Sequence, residues 1–77
     1  MILIDVRTPE EYATGCAENA ENIPLQELMA GNFPEIDKES EIQVYCRSGG
    51  RSSHAKILLE NHGFTNVENA GGLHDVM

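Results

Sequence analysis

Two hydropathy patterns alternate along the chain. Residues 2–6, "ILIDV", are a continuous apolar, β-branched run broken only by Asp5, which suits a strand buried on both faces. "TPEEY" follows as a helix start. Thr8 stands as N-cap, Pro9 at the first helical position and Glu11 three residues past the cap, completing a capping box. Gly15 ends that short helix. "ENIPL" (21–25) predicts a short extended segment, since Ile23 precedes a proline and is held out of the α region. "LQELMAG" predicts a second short helix with Gly31 as its stop, and the polar, turn-rich stretch 32–41 predicts a surface loop. "IQVYC" (42–46) is the second clear strand. From Ser52 to His62, Ala55, Ile57, Leu58 and Leu59 mark a helical face, with Gly63 as C′ residue. "TNVEN" (65–69) predicts a third strand and "AGGL" a tight loop before a terminal helical turn. This alternation predicts a small α/β domain, residues 1–77 as one unit, with a central parallel β-sheet flanked by α-helices.

Length and charge narrow the functions open to such a domain. A chain of 77 residues buries roughly 60% of its unfolded surface on folding, with a stability of about 4–12 kcal/mol. Hydrophobic content of 40% without Trp describes an ordinary core. A net charge of −8 argues against nucleic acid as a partner, because phosphate binding needs a basic face. No apolar stretch approaches the length of a membrane span, so no membrane partner is expected. The compartment stays open: periplasmic if a signal peptide has been removed, cytoplasmic otherwise. Cys16 and Cys46 lie thirty positions apart, with no CxxC and no His pair at ligand spacing, so neither a metal nor another cofactor is expected.

Against that acidic background, "CRSGGRS" (46–52) places two of the five basic residues within five positions of a thiol. With a strand ending at Cys46 and a helix starting at Ser52 or Ser53, the intervening residues fold back at the carboxyl edge of a parallel sheet, where α/β proteins hold ligands. Gly49 and Gly50 permit close backbone approach, so successive N–H groups can face inward as an anion-binding nest. The helix N-terminus adds unsatisfied N–H groups and the positive end of its dipole. Helix N-termini and adjacent cations lower a thiol pKa, and here Arg47 and Arg51 are the cations. Cys46 is therefore expected to be a thiolate nucleophile, with the loop amides stabilising charge on its adduct. A single Cys at a strand end is ordinarily just a small hydrophobe. The coincidence of Cys46, Arg47, Ser48, Gly49, Gly50, Arg51 and Ser52 at one strand-to-helix junction outweighs that reading. The spacing is C-x4-R, one residue shorter than the C-x5-R ring of cysteine phosphatases, leaving a cavity suited to one sulfur atom rather than a tetrahedral phosphate.

The segments "LIDVRTPEEYATG" (3–15), "AENIPL" (20–25), "VYCRSGGRSSHAKILLENHGF" (44–64) and "VENAGGL" (67–73) resemble the single-domain rhodanese family of thiosulfate sulfurtransferases, in the same order and over most of the chain. The resemblance implies a rhodanese-like domain in which Cys46 carries a persulfide. It implies thiosulfate as a small anionic sulfur donor and a thiol or cyanide as acceptor; separately, a monomer is expected. It also implies that Arg47 and Arg51 engage the donor while the 47–51 amides cradle the outer sulfur; Ser48, Gly49, Gly50 and Ser52 are counted with them as substrate-binding candidates. Asp5 and Arg7, two apart on one face of an extended segment, are expected to buttress the site. Gly71 and Gly72 are expected to let backbone approach the Cys46 loop. His54, His62 and His74 are assigned no chemistry, although His74 stands where it can line the pocket rim. One departure is Gly15-Cys16-Ala17, where the family commonly has G-H-I; Cys16 is either a neutral surface replacement or a second redox-active thiol. The chain also lacks the N-terminal strand and helix of longer relatives, leaving either an incomplete sheet edge or a minimal version. The alternatives are a persulfide-carrying or protein-binding module without turnover, and a phosphatase or arsenate reductase, which the C-x4-R ring disfavours.

Overall fold

The computed structural model describes residues 1–77. In chain order the elements are β1 (Ile2–Asp5), α1 (Pro9–Ala13), β2 (Glu21–Asn22), α2 (Leu25–Met29), β3 (Ile42–Cys46), α3 (Gly50–Asn61), β4 (Val67–Gly72) and α4 (Leu73–Val76). The four strands form one sheet of order β2-β1-β3-β4, every pairing parallel. The α/β architecture expected from the alternation is therefore present. The order carries a consequence for function. The chain leaves β1 toward one edge and β3 toward the other, so the crevice between their carboxyl ends is the switch point where open α/β sheets take ligands.

Period-two alternation sorts the strand residues between two packed layers. Ile4, Val6, Ile42, Val44 and Cys46 face the larger core with Leu28, Ala55, Leu59, Phe64 and Val67. Tyr45 faces the other side with Ala17 and Ala20, against Leu3, Tyr12, Leu73 and Val76. Asp5 and Tyr45 are direct partners in the β1–β3 register, and Tyr45 Oη donates to Asp5 Oδ2 at 2.7 Å. The same carboxylate takes Arg7 Nε at 3.0 Å and Nη2 at 2.7 Å, plus the Arg7 amide at 2.8 Å. Arg7 Nη2 also donates to the Gly15 carbonyl at 2.6 Å, tying the exit of α1 to the end of β1. Asp5 is fully buried and Arg7 is 4% exposed, so a charge pair with every partner in place sits under the sheet end.

The helix signals near the N-terminus hold in detail. Thr8 caps α1, Glu11 completes the capping box, and Pro9 opens the helix. Three boundaries differ from expectation. α3 starts at Gly50, two residues before Ser52, because Gly49 adopts φ +100° and turns the chain directly out of β3. The "AGGL" stretch is the bulged end of a strand rather than a loop. Val44 pairs Asn69 and Tyr45 pairs Gly71, which leaves Ala70 as the extra residue. The 21–25 segment is a strand only over Glu21 and Asn22, yet Ile23 N–H still donates to the Asp5 carbonyl and Leu25 N–H to the Val6 carbonyl, while Asn22 Nδ2 bonds the Asp5 and Arg7 carbonyls.

Replacing Arg7 by Ala leaves the Asp5 carboxylate buried without its partner. The expected loss of unfolding free energy in urea is about 3–5 kcal/mol, a large share for a chain of this size. A double replacement, Asp5→Leu with Arg7→Met, is expected to be milder than Arg7→Ala alone. A loss under about 1 kcal/mol for Arg7→Ala would show that the pair does not hold this edge.

Candidate active site

The site forms where β3 gives way to α3. Cys46, the last residue of β3, is 1% exposed and points toward the α2–α3 face. Only Arg47, Ser48 and Gly49 separate it from the first turn of α3. The left-handed Gly49 brings its own N–H to 2.9 Å from Cys46 Sγ, a conformation that costs a residue with a side chain. The turn is held from beyond by the bulged end of β4. A Cβ on Gly72 would stand 2.5 Å from the Arg47 carbonyl oxygen, so only glycine lets these two backbones meet.

Ser52 anchors the inner side. It is fully buried, and its Oγ lies 3.5 Å from Cys46 Sγ, 3.0 Å from the Gly49 carbonyl and 2.7 Å from Asn69 Oδ1. Asn69 in turn donates to the Gly49 carbonyl and Ser53 Oγ, and accepts from the Gly71 amide. This residue ties the bulge to the loop, and sequence reading missed it; a polar residue just before Ala-Gly-Gly was the only signal. Burial pushes the Cys46 thiol up. The Ser52 hydroxyl and the amides of Ser52, Ser48 and Gly49 outweigh that, and the pKa lies below its ordinary value. Hydrogen bonds to sulfur, rather than the two arginines, are the larger lowering influence.

The remaining predicted residues divide. Arg47 and Ser48 are exposed and line a cavity of about 590 Å³, together with Arg7, Glu11, Thr14, Leu73 and His74. Gly50 is exposed at the start of α3. Arg51 does not stand free: its Nη1 and Nη2 donate to Glu11 Oε1 at 2.6 Å and Oε2 at 3.0 Å. Asp5 stays in its buried pair with Arg7 beneath the sheet end, and Arg7 reaches the same cavity as Arg47 and Ser48. His54 is exposed and outside the cavity, whereas His74 lines it. His62 stacks on Phe33 at 3.9 Å between ring centroids, fastening the 32–41 loop to the end of α3. Cys16 and Cys46 are both free thiols. Cys16 lies beside Tyr12, whose hydroxyl is pushed up by burial and then by Cys16. A second hollow of about 550 Å³, edged by Pro9, Pro24 and Phe33, holds none of the predicted site residues.

Two measurements follow from these hydrogen bonds. Ser52→Ala removes the largest influence lowering the Cys46 pKa, so its alkylation rate at mildly acidic pH is expected to fall, with the rate–pH profile displaced upward. A superimposable profile would contradict this. The second concerns Glu11, whose hydrogen bond to Arg51, against the opposing effect of burial and with help from Thr8, lowers its pKa from 4.5 to about 2. The folded carboxyl holds its proton less tightly than the unfolded one, so its contribution is complete above pH 4.5 and disappears as pH falls toward 2. Glu11→Gln is expected to lose less stability than wild type over that window; equal losses in urea titrations would remove Glu11 from the acid response.

Comparison with known proteins agrees with this arrangement. The sequence profile of the rhodanese-like domain matches residues 1–76. Thiosulfate sulfurtransferase PspE of Escherichia coli is 46% identical over 74 residues, covering 95% of this chain and 71% of that protein. A sulfurtransferase of Allochromatium vinosum is 38% identical, covering 94% of this chain and 66% of its own length. Among solved structures, a "rhodanese with anions from E. coli" superimposes with a TM-score of 0.84 at 45% identity, covering 97% of this chain and 89% of the other. The human single-domain sulfurtransferase TSTD1 has the same TM-score at 31% identity, over 96% of this chain and 78% of its own. The parallel sheet, the Cys46 loop and these relatives together establish that the chain belongs to the rhodanese-like domain family.

Proposed function

We propose that the chain is a thiosulfate sulfurtransferase in which Cys46 carries the transferred sulfur. The observation that supports this most strongly is a buried thiol with a lowered pKa, held at a helix N-terminus by the Gly49 amide and the Ser52 hydroxyl. A thiolate kept there is nucleophilic yet shielded, and the amides that hold it also favour negative charge on a sulfur added to it.

The reaction proceeds in two displacements. The Cys46 thiolate attacks the outer sulfur of thiosulfate and forms a new S–S bond. The bond between that outer sulfur and the sulfonate sulfur breaks, its electron pair leaving with sulfite. Cys46 is then a persulfide whose negative charge resides on the terminal sulfur, within reach of the loop amides. A cyanide carbon or an acceptor thiolate attacks that terminal sulfur, giving thiocyanate or a new persulfide and returning the Cys46 thiolate. No proton transfer is needed in either step, so a general base is not called for and His54 takes no part. Arg47, exposed at the cavity mouth, offers its guanidinium to the donor's sulfonate oxygens. Because every residue invoked comes from one chain, the reading requires only a monomer.

Cys46→Ser keeps a side chain of similar shape and is expected to abolish thiocyanate formation from thiosulfate and cyanide while leaving the urea midpoint nearly unchanged. Cys16→Ser is expected to retain turnover. Undiminished turnover without Cys46 would refute the assignment. Slow turnover with stoichiometric sulfur loading would identify a persulfide carrier acting on a protein partner.

A further inference from the structure

We propose that Glu11 sets the affinity for anionic donors by competing with them for Arg51; this rests on the sulfurtransferase reading above. Capping boxes usually use their acidic residue only to close a helix end, and Glu11 does that at the start of α1. Glu11 also lines the cavity that Arg47 and Ser48 line, and its carboxylate is gripped by both terminal nitrogens of Arg51, forty positions away. Arg51 is the last residue of the C-x4-R loop and lies within electrostatic range of the Cys46 sulfur. The loop's second cation is thus already neutralised by a carboxylate at the entrance of the site it serves.

The two partners differ in how firmly they are held. Glu11 Oε1 also accepts from the Thr8 amide at 3.2 Å and Thr8 Oγ1 at 3.1 Å, so Glu11 keeps its place without Arg51. No other hydrogen bond restrains the Arg51 guanidinium, and both side chains are about one-third exposed, 36% and 30%. An ion pair so exposed is weak, and a dianion presenting sulfonate oxygens in the same forked geometry can displace one side of it. Arg51 is therefore the moving member. It turns from the anchored carboxylate to the sulfonate as donor binds, and returns as sulfite departs. Glu11 opposes tight anion binding and favours product release; it acts as a specificity-determining residue and touches no reacting atom.

Glu11→Gln tests this cleanly, because glutamine still completes the capping box but no longer holds Arg51 by charge. The KM for thiosulfate and the inhibition constant of sulfite are expected to fall together, about two- to fivefold, as exchange of one exposed ion pair supports. In an Arg51→Ala background the same replacement is expected to change neither. Unchanged or raised constants in Glu11→Gln would overturn the proposal, as would an equal fall without Arg51, which would reduce Glu11 to a background charge. Intact mass of the same samples separates the two levels. A wild type that takes up no sulfur from thiosulfate overturns the sulfurtransferase reading and this inference together. Normal uptake with unaltered constants overturns only the role of Glu11.

Discussion

Parallel pairing of β1 with β3, with Asp5 opposite Tyr45, is the constraint on which the rest of the structure rests. It brings the "DVR" and "CRSGGR" segments, forty positions apart in sequence, to one sheet end. Because side chains alternate, the same register sends Asp5 and Tyr45 to one layer and Cys46 to the other. A slip of one residue would exchange the layers, burying the Asp5–Arg7 pair where the apolar core now packs and exposing the thiol side. The hydrogen bond from Tyr45 to Asp5 and the fork from Arg7 fix that register through groups that tolerate no other partner. The buried Asp5–Tyr45 contact and the Cys46 thiol thus lie in different layers, and Arg7 reaches from the first to the cavity that Arg47 and Ser48 line.

On the reactive face, the work is done by short-range dipoles. The chain carries a net charge of −8, which disfavours an anionic sulfur at long range. Yet Cys46 is biased toward its thiolate, since the Gly49 amide and the Ser52 hydroxyl reach the sulfur directly. Solvent screens the distant carboxylates far more than these buried contacts. The loop can be so short because Gly49 turns left-handed and Gly72 offers no Cβ to the Arg47 carbonyl. The approach of Gly71 and Gly72 to the Cys46 loop was expected from sequence; that Gly72 meets the Arg47 carbonyl and Gly71 meets Gly49 belongs to the tertiary structure.

How much could be read from sequence follows the range of each interaction. Local signals sufficed for the Thr8–Glu11 capping box, the stop at Gly63 and the strand ending at Cys46, since each depends on neighbours a few positions away. The start of α3 at Gly50 was hidden because glycine disfavours helices on propensity alone, and tertiary packing of the loop overrides it. The bulge at Ala70 was hidden because "AGG" reads as turn chemistry unless its partner strand is known. Asn69 and the second role of Glu11 were hidden for the same reason: their partners Ser52 and Arg51 lie seventeen and forty positions away. The residue types had narrowed Cys46 to nucleophilic attack on an anion and the C-x4-R spacing to a cavity for one sulfur atom; the resemblance to rhodaneses supplied the donor and the persulfide cycle.

The central claim is that sulfur rides on Cys46. Its most direct test is intact-protein mass after exposure to thiosulfate and again after cyanide, on wild type, Cys46→Ser and Cys16→Ser. Addition of one sulfur atom that needs Cys46, survives loss of Cys16 and is removed by cyanide is the expected result. No added sulfur on the wild type, or addition that persists in Cys46→Ser, would contradict it.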